Sequence, residues 1–241
     1  MSSVATDRYW QRHWQGNSFT IVSPTHPVRK WIESNIKDGN ELSCMEIGCY
    51  PGKFLSVFGE KGYTLNGIDK YSGTSTILKQ WLEAKGYMVQ VMLQQDFLDT
   101  RTDLGLFDVV CSFGFIEHFE NWPEIIKRHI ELVKPRGQVI IEVPNLSSRL
   151  YFLIYRLLEP EVLRNHVPGA MNLGGISSVC RGENCEIISA DYIGRFYFRF
   201  VTKKGLFYTA VEKLINSLAP LFEIFPRTVF ARYLGVIAMK N

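Results

Sequence analysis

The residues of this chain with the most chemical promise form an ordered series. Glu46-Ile47-Gly48-Cys49-Tyr50-Pro51-Gly52 closes an apolar run with a glycine-punctuated turn. Asp69 ends the next apolar run, twenty-one residues past Gly48. A glycine turn after one strand and an acid after the next is how an open α/β sheet holds an adenosine-containing ligand. The glycines let backbone approach the ligand, and the acid takes two ribose hydroxyls. Gln95-Asp96-Phe97 follows a third apolar run, and Ser112-Phe113 closes a fourth. Ile116-Glu117-His118 comes directly after, where a histidine is suited to accept a proton near neutral pH. Plainer readings stand beside these. Asp69 can cap a helix, Asp96 can be a loop acid, Glu117 a helix-start acid and His118 a packed histidine. His129 and His166 read as structural or solvent-facing.

These residues need elements to position them. The pattern alternates strand and helix from residue 42. Strands are expected at Leu42–Ile47, Tyr63–Ile68, Tyr87–Leu93, Phe107–Phe113 and Gln138–Val143. Helices are expected at Pro27–Lys37, Gly52–Gly59, Thr74–Lys85 and Pro123–Val133. Lys134-Pro135-Arg136-Gly137 reads as a turn that delivers the fifth strand. Alternation of this length implies a parallel sheet with right-handed crossovers. After residue 145 the pattern changes. An apolar helix at Leu150–Leu158 precedes a Pro/Gly/Asn stretch. Cys185–Phe200 is strand-rich, Lys204–Phe225 is one amphipathic helix, and Tyr233–Met239 is a last strand. The first 26 residues carry Tyr9, Trp10, His13, Trp14 and Phe19, which suit a short helix lying over the body.

Composition narrows the function classes. The chain has 241 residues, 46% hydrophobic and 21% charged, enough for one domain with a sizeable core. Net charge is +3 with no basic stripe, which argues against a nucleic-acid partner. Five cysteines, an odd number, read as reduced thiols in a cytoplasmic protein. No metal is expected: Cys180-x4-Cys185 with His166 has loose spacing and no evident fourth ligand. No transmembrane segment or signal peptide is expected.

Taken in order, Glu46–Gly52, Asp69, Gln95-Asp96-Phe97, Phe107-Asp108-Val109-Val110-Cys111-Ser112, Ile116-Glu117-His118 and Leu132–Gln138 resemble the class I S-adenosylmethionine-dependent methyltransferases. Within them the chain is similar to the small-molecule branch of quinone and polysaccharide biosynthesis. The resemblance covers roughly residues 40–145. It implies an α/β, Rossmann-like, mostly parallel seven-stranded sheet with helices on both faces, the last strand antiparallel, and a helical acceptor-side insertion. It implies S-adenosyl-L-methionine as cofactor. Glu46 would organise the loop or the methionine amino group, and Gly48, Cys49, Tyr50 and Gly52 would pass beneath the methionine and ribose. Asp69 would bind the ribose and Lys70 would flank the adenine. Asp96 would face the adenine amino group, with Phe97 against the ring. Ser112 and Phe113 would line the methionine arm. Tyr50 departs from the family pattern, in which many relatives have glycine, so the loop's contacts or the direction of the ring are open.

The expected organisation is one domain over 1–241: an N-terminal helical lid segment at 1–40, a cofactor-binding core at 41–145, and acceptor-side insertions with the late strands at 146–241. The acceptor is a small-molecule or glycan-linked group, with oxygen favoured as the acceptor atom and His118 as its base. Tyr151 and Tyr155 would line the acceptor pocket, together with Phe152, Tyr197, Phe198, Phe207 and Tyr208. The apolar helices could instead pair two subunits of a homodimer. Two other classes stand as alternatives. One is a nicotinamide-dependent oxidoreductase, disfavoured by Gly-x-Tyr-x-Gly in place of G-x-G-x-x-G. The other is a non-catalytic interaction module on the same fold.

Overall fold

A computed structural model describes residues 3–6, 9–10, 19–98 and 103–241. His13 and Trp14 of the expected N-terminal helix lie outside the described residues. Seven strands form one sheet: β1 (Ser43–Ile47), β2 (Thr64–Asp69), β3 (Val89–Gln94), β4 (Phe107–Phe113), β5 (Val133–Pro144), β6 (Cys185–Ile193) and β7 (Tyr233–Lys240). Their order is β3-β2-β1-β4-β5-β7-β6. The pairs among β1 to β5 are all parallel, and β7 runs antiparallel to β5 and β6. This is the expected Rossmann-like sheet with its last strand reversed.

Alternation along the strands explains why the sheet is covered on both sides. Met45, Ile47, Val110, Ile141 and Val236 point into one apolar cluster. Cys44, Val109, Cys111, Ile140 and Ile237 point into the other. Period-two side chains that are apolar in both phases need helices on both faces. Helix α1 (Pro27–Glu33) supplies part of one layer. It opens with Pro27 and with His26 Nδ1 accepting from Val28 N at 3.3 Å. Its Trp31 indole N–H donates to Ser189 Oγ at 2.9 Å and to Asp191 Oδ2 at 3.1 Å. Gly235 on β7 makes room for that ring, since a Cβ there would lie 2.6 Å from Trp31.

Further α-helices among the described residues are α2 (Leu55–Glu60), α3 (Lys79–Ala84), which continues a π-helical turn at Thr74–Leu78, α4 (Trp122–Glu131), α5 (Arg149–Leu158), α6 (Pro160–Arg164), α7 (Leu173–Gly182), α8 (Leu206–Ser217), α9 (Ala219–Phe222) and α10 (Arg227–Phe230). Three expectations need correction. First, the turn expected at 134–137 is a bulge inside β5. Phe107 pairs with Val133 but Val109 pairs with Gln138, so extra residues loop out, with Arg136 at φ 66°. Lys134 Nζ and both Ser43 N and Ser43 Oγ then meet on Asp108 Oδ2, each at 2.8 Å. Second, β6 stops at Ile193, and 195–200 runs on as a strap outside the sheet. Third, the long helix expected at 204–225 divides at Leu218 into α8 and α9, with Pro220 in the first turn of α9. Neither of these helices buries a residue.

Candidate active site

The carboxyl ends of β1, β2, β4 and β5 open onto a cavity of about 1140 Å³. Backbone geometry builds its β1–β2 end. Gly48 has φ 73°, and a Cβ there would lie 2.6 Å from the Phe115 ring, so glycine is required twice over. Gly48 N and Cys49 N both donate to Ile68 O, at 2.9 and 3.3 Å. These bonds tie the loop to the end of β2. Asp69 then closes the junction: its Oδ2 accepts from Tyr50 N at 3.1 Å and its Oδ1 from Tyr71 N at 2.8 Å. Burial raises the Asp69 carboxyl above its ordinary range, against the pull of those two N–H groups. Tyr50 has no positive φ, and its ring lies 4.3 Å from Tyr71 and 5.6 Å from Phe19. The tyrosine in place of glycine is thus accommodated as cavity wall.

Glu46 sits beneath this loop, buried, with Oε2 lacking any partner among the described residues. Burial first, then the neighbouring Asp69, pushes its carboxyl well up. Lys70, Asp96, Phe97 and Phe113 also line the cavity. Asp96 Oδ1 accepts from Leu98 N at 2.9 Å, so it shapes its own turn as well. Phe97 is buried under the Arg128 guanidinium, 4.7 Å above the ring. Two expected residues lie behind the wall instead. Gly52, at φ 79°, closes the loop through its N–H to Cys49 O at 2.6 Å. It packs under Leu78, whose Cδ1 would be 2.5 Å from an added Cβ. Ser112 is wholly buried within β4, paired with Ile141, so Phe113 and Gly114 present that strand end to the cavity.

His118 lies in a short 3-10 turn after β4 and is 3% exposed. Its Nδ1 is 2.6 Å from Asn165 O. A carbonyl can only accept, so in the neutral ring Nδ1 carries the proton and Nε2 the lone pair. Nε2 is 3.8 Å from Glu117 Oε1. Burial lifts the Glu117 carboxyl well above its ordinary range, with Glu142 as a smaller contributor. His166, expected to be structural or solvent-facing, stands beside it with rings 4.6 Å apart. Donor atoms of Glu117, His118 and His166 lie within 4.8 Å of one another, a spacing that could hold a metal ion. Cys180 and Cys185 belong to the core and are not part of that group. His129 is buried, with Nδ1 donating to Ile125 O at 2.7 Å.

Tyr151 and Tyr155 both line the cavity from α5, whose N-terminus is capped by Ser148 Oγ accepting from Tyr151 N at 3.3 Å. Their hydroxyls are spoken for. Tyr151 Oη accepts from Tyr197 N at 3.0 Å, and Tyr155 Oη donates to Arg199 O at 3.2 Å. Burial raises both phenols, Tyr151 to about 12, so they wall the site and hold the strap rather than move protons. Tyr197 lines the cavity as well. Phe198 is core, Tyr208 packs 5.1 Å from Phe200, Phe152 is exposed, and Phe207 is 72% exposed.

Sequence reasoning missed Glu142, Lys53, Arg199 and Arg232, all on the cavity wall. Glu142 carried a signal: it is the one acid inside the buried run Val139–Val143. Burial pushes its carboxyl up to about 8, although Arg232 and Lys53 pull the other way.

A family model described as a methyltransferase domain matches residues 23–193. A ubiquinone biosynthesis O-methyltransferase of Rickettsia felis is 26% identical over 140 residues, 56% of this chain and 57% of the relative. That of Rickettsia canadensis is 25% identical over 56% of this chain and 58% of its own length. The matches thus span a little over half the length of these relatives. Among solved structures, a SAM-dependent methyltransferase from Archaeoglobus fulgidus superimposes with TM-score 0.56 over 96% of this chain and 98% of that one, at 19% identity. Magnesium protoporphyrin IX methyltransferase from Synechocystis PCC 6803, with bound SAH, gives 0.58 over 96% and 92%, at 12% identity.

Proposed function

Because the chain belongs to the methyltransferase-domain family over residues 23–193, we propose that it moves the methyl group of S-adenosylmethionine onto an oxygen of a small-molecule acceptor. The observation that carries this reading is one continuous cavity, with the Gly48 loop and Asp69 at one end and His118, Tyr151 and Tyr155 at the other. The curated relatives named above, O-methyltransferases of ubiquinone biosynthesis, favour oxygen and a free small molecule over a glycan-linked one.

The residues suit the cofactor. Asp69 has lone pairs left after its two backbone bonds, so it can take both ribose hydroxyls. Asp96, Phe97 and Lys70 would hold the adenine. Glu46, buried with one oxygen unpartnered, would meet the methionine amino group. Gly48, Cys49 and Tyr50 would run beneath the sugar, with Gly52 shaping the loop from behind. The bound sulfonium supplies an electrophilic methyl group. The chain's task is then to hold the acceptor in line, exclude water and remove a proton. His118 Nε2 would take the hydroxyl proton, while Asn165 O holds Nδ1–H and fixes the tautomer. We place the reaction in the cytoplasm, consistent with five cysteines that are all free. Among the described residues no helix is long and apolar enough to cross a membrane. A homodimer, if formed, would use the exposed Leu206, Phe207 and Leu221 of α8 and α9.

Calorimetry against S-adenosylhomocysteine and NAD tests the cofactor assignment. Preference for S-adenosylhomocysteine is expected, and preference for NAD would replace the reading with an oxidoreductase. Transfer of a labelled methyl to any hydroxylated acceptor in a small-molecule panel is expected next. Cofactor binding with no transfer to any member would favour the non-catalytic module.

A further inference from the structure

The charges on the cavity wall are divided. Glu46, Asp69 and Asp96 sit at the ends of β1, β2 and β3. Lys53, Arg199 and Arg232 line the same cavity, Lys53 just past the glycine loop, Arg199 from the strap and Arg232 from the start of β7. Among the described residues, none of these three cations makes an ion pair or a side-chain hydrogen bond. They nevertheless face one another closely enough that Arg232 and Arg199 oppose the charge on Lys53, beyond the effect of its burial. Cations kept together without an anionic partner repel, which is a cost unless something anionic sits among them.

The acid nearest this group does not neutralise it. Glu142, at the carboxyl end of β5, has Oε1 buried without a partner rather than bonded to Arg232 or Lys53. Burial holds it toward its neutral form, with a pKa of about 8. Arg232 is also held for use. Its guanidinium carbon lies 4.6 Å from the Tyr197 ring and 5.1 Å from the Tyr233 ring. Ring faces orient the guanidinium plane while leaving its edge N–H donors unspent.

Strand order places Arg232 away from the ribose end of the proposed cofactor site. Arg232 immediately precedes β7, and Tyr233 pairs with Pro144 at the carboxyl end of β5. In the sheet order, β7 is three places from β1 and four from β2. At about 4.8 Å per strand that puts it roughly 14 Å from the glycine loop, on the far side from Asp69. Arg199 is carried by the strap, whose carbonyl at that residue is held by Tyr155 Oη. Lys53, next to Gly52, belongs to the glycine-loop end and is left out of the pair.

We propose that Arg199 and Arg232 form an anion subsite on the acceptor side, so that the methyl acceptor carries a carboxylate, phosphate or pyrophosphate group. This deepens the methyltransferase reading above and rests on it. The guanidinium pair would grip the anion by charge-assisted N–H bonds, and Tyr151, Tyr155 and Tyr197 would wall the apolar part of the acceptor.

The test uses the full chain saturated with S-adenosylhomocysteine, titrated with benzoate, inorganic phosphate and pyrophosphate. At least one anion is expected to bind with Kd below about 1 mM, and the tightest names the anion class. R199Q/R232Q should weaken that anion at least tenfold while S-adenosylhomocysteine affinity changes less than twofold, which also reports that the variant is folded. No anion binding to the loaded wild type overturns the proposal. So does a double variant that loses S-adenosylhomocysteine and anion together, since the arginines would then be holding the cofactor. If wild type fails to bind S-adenosylhomocysteine at all, the methyltransferase reading itself has failed, a result separate from either of these.

Discussion

The two ends of the cavity are held by different kinds of bond. At the β1–β2 end, main chain meets main chain or one short acid: Gly48 and Cys49 N–H on Ile68 O, Tyr50 and Tyr71 N–H on Asp69. At the β5–β7 end, side chains hold a strap with no regular structure. Tyr197 N donates to Tyr151 Oη at 3.0 Å, Phe198 N to Asn216 Oδ1 at 2.8 Å, and Phe200 N to Glu212 Oε1 at 2.6 Å. Glu159, 1% exposed, then takes Val201 N at 2.7 Å, Thr202 N at 3.0 Å and Lys203 N at 3.1 Å. These strap amides are satisfied by residues from α5, from the turn after it and from α8, and Phe196 N by Glu223 just past α9. The end proposed for an unchanging cofactor is thus local and made of backbone. The end proposed for the acceptor is assembled from distant side chains that can be exchanged one by one.

That contrast can be broken by experiment. The largest expected effect falls where the ends meet. Glu142 keeps its proton in the fold up to about pH 8, whereas the ordinary glutamate value is 4.5. Lys53 and Arg232 face it and favour its charged form, while burial shifts the nearby Glu117 toward its neutral form. Between those two pH values the native state holds a proton that the unfolded chain has released. Stability therefore falls as pH rises from about 4.5 to about 8, then levels off. Glu142→Gln should flatten that slope, by on the order of 3 kcal/mol across the window, in urea melts at pH 5 and pH 8. Equal slopes in variant and wild type would show that this carboxyl is not buried in solution.

His118→Ala comes next. Turnover should fall about a hundredfold, or roughly 2.7 kcal/mol, with cofactor affinity unmoved. Full activity across pH would make the histidine structural. Asp69→Ala should cost about 2 kcal/mol in S-adenosylhomocysteine binding by calorimetry, because two hydrogen bonds to a charged acceptor are lost. Its effect on acceptor KM should be small, which is the signature of independent ends. Glu159→Gln tests the other end. It keeps one acceptor oxygen of two and should cost about 1.5 kcal/mol. Amides 201–203 should exchange faster while those of 48–50 do not. Faster exchange at both places would dissolve the comparison. Asp108→Asn is the smallest, under about 1 kcal/mol, because its contacts with Lys134 and Ser43 are partly exposed and lie at the amino ends of the strands, away from the cavity.

The same contrast explains what could be read in advance. β4 was expected at Phe107–Phe113 and has those bounds. The glycine loop, Asp69 and His118 all reach the cavity, because their positions follow from strand ends and turns that are local in sequence. The strap reads as strand from its alternating Phe196, Phe198 and Phe200, yet those N–H groups answer to Glu223, Asn216 and Glu212. Nothing in residues 195–200 names those partners. The division at Leu218 escaped notice because apolar residues keep helical spacing on both sides of it, although Pro220 marked the restart. Arg199 and Arg232 gave no pattern at all, since their sharing one cavity wall depends on where the strap and the start of β7 lie in the fold.

All five cysteines are buried, and burial raises every one of their thiols, Cys180 to about 12. A thiol in that state reacts with a labelling reagent only when the surrounding structure opens. Cys44, Cys49 and Cys111 report on β1, its loop and β4, while Cys180 and Cys185 report on α7 and β6. The molecule therefore carries native clocks in both halves of its sheet. Labelling followed by mass spectrometry, peptide by peptide, would time the opening of each half without altering a residue.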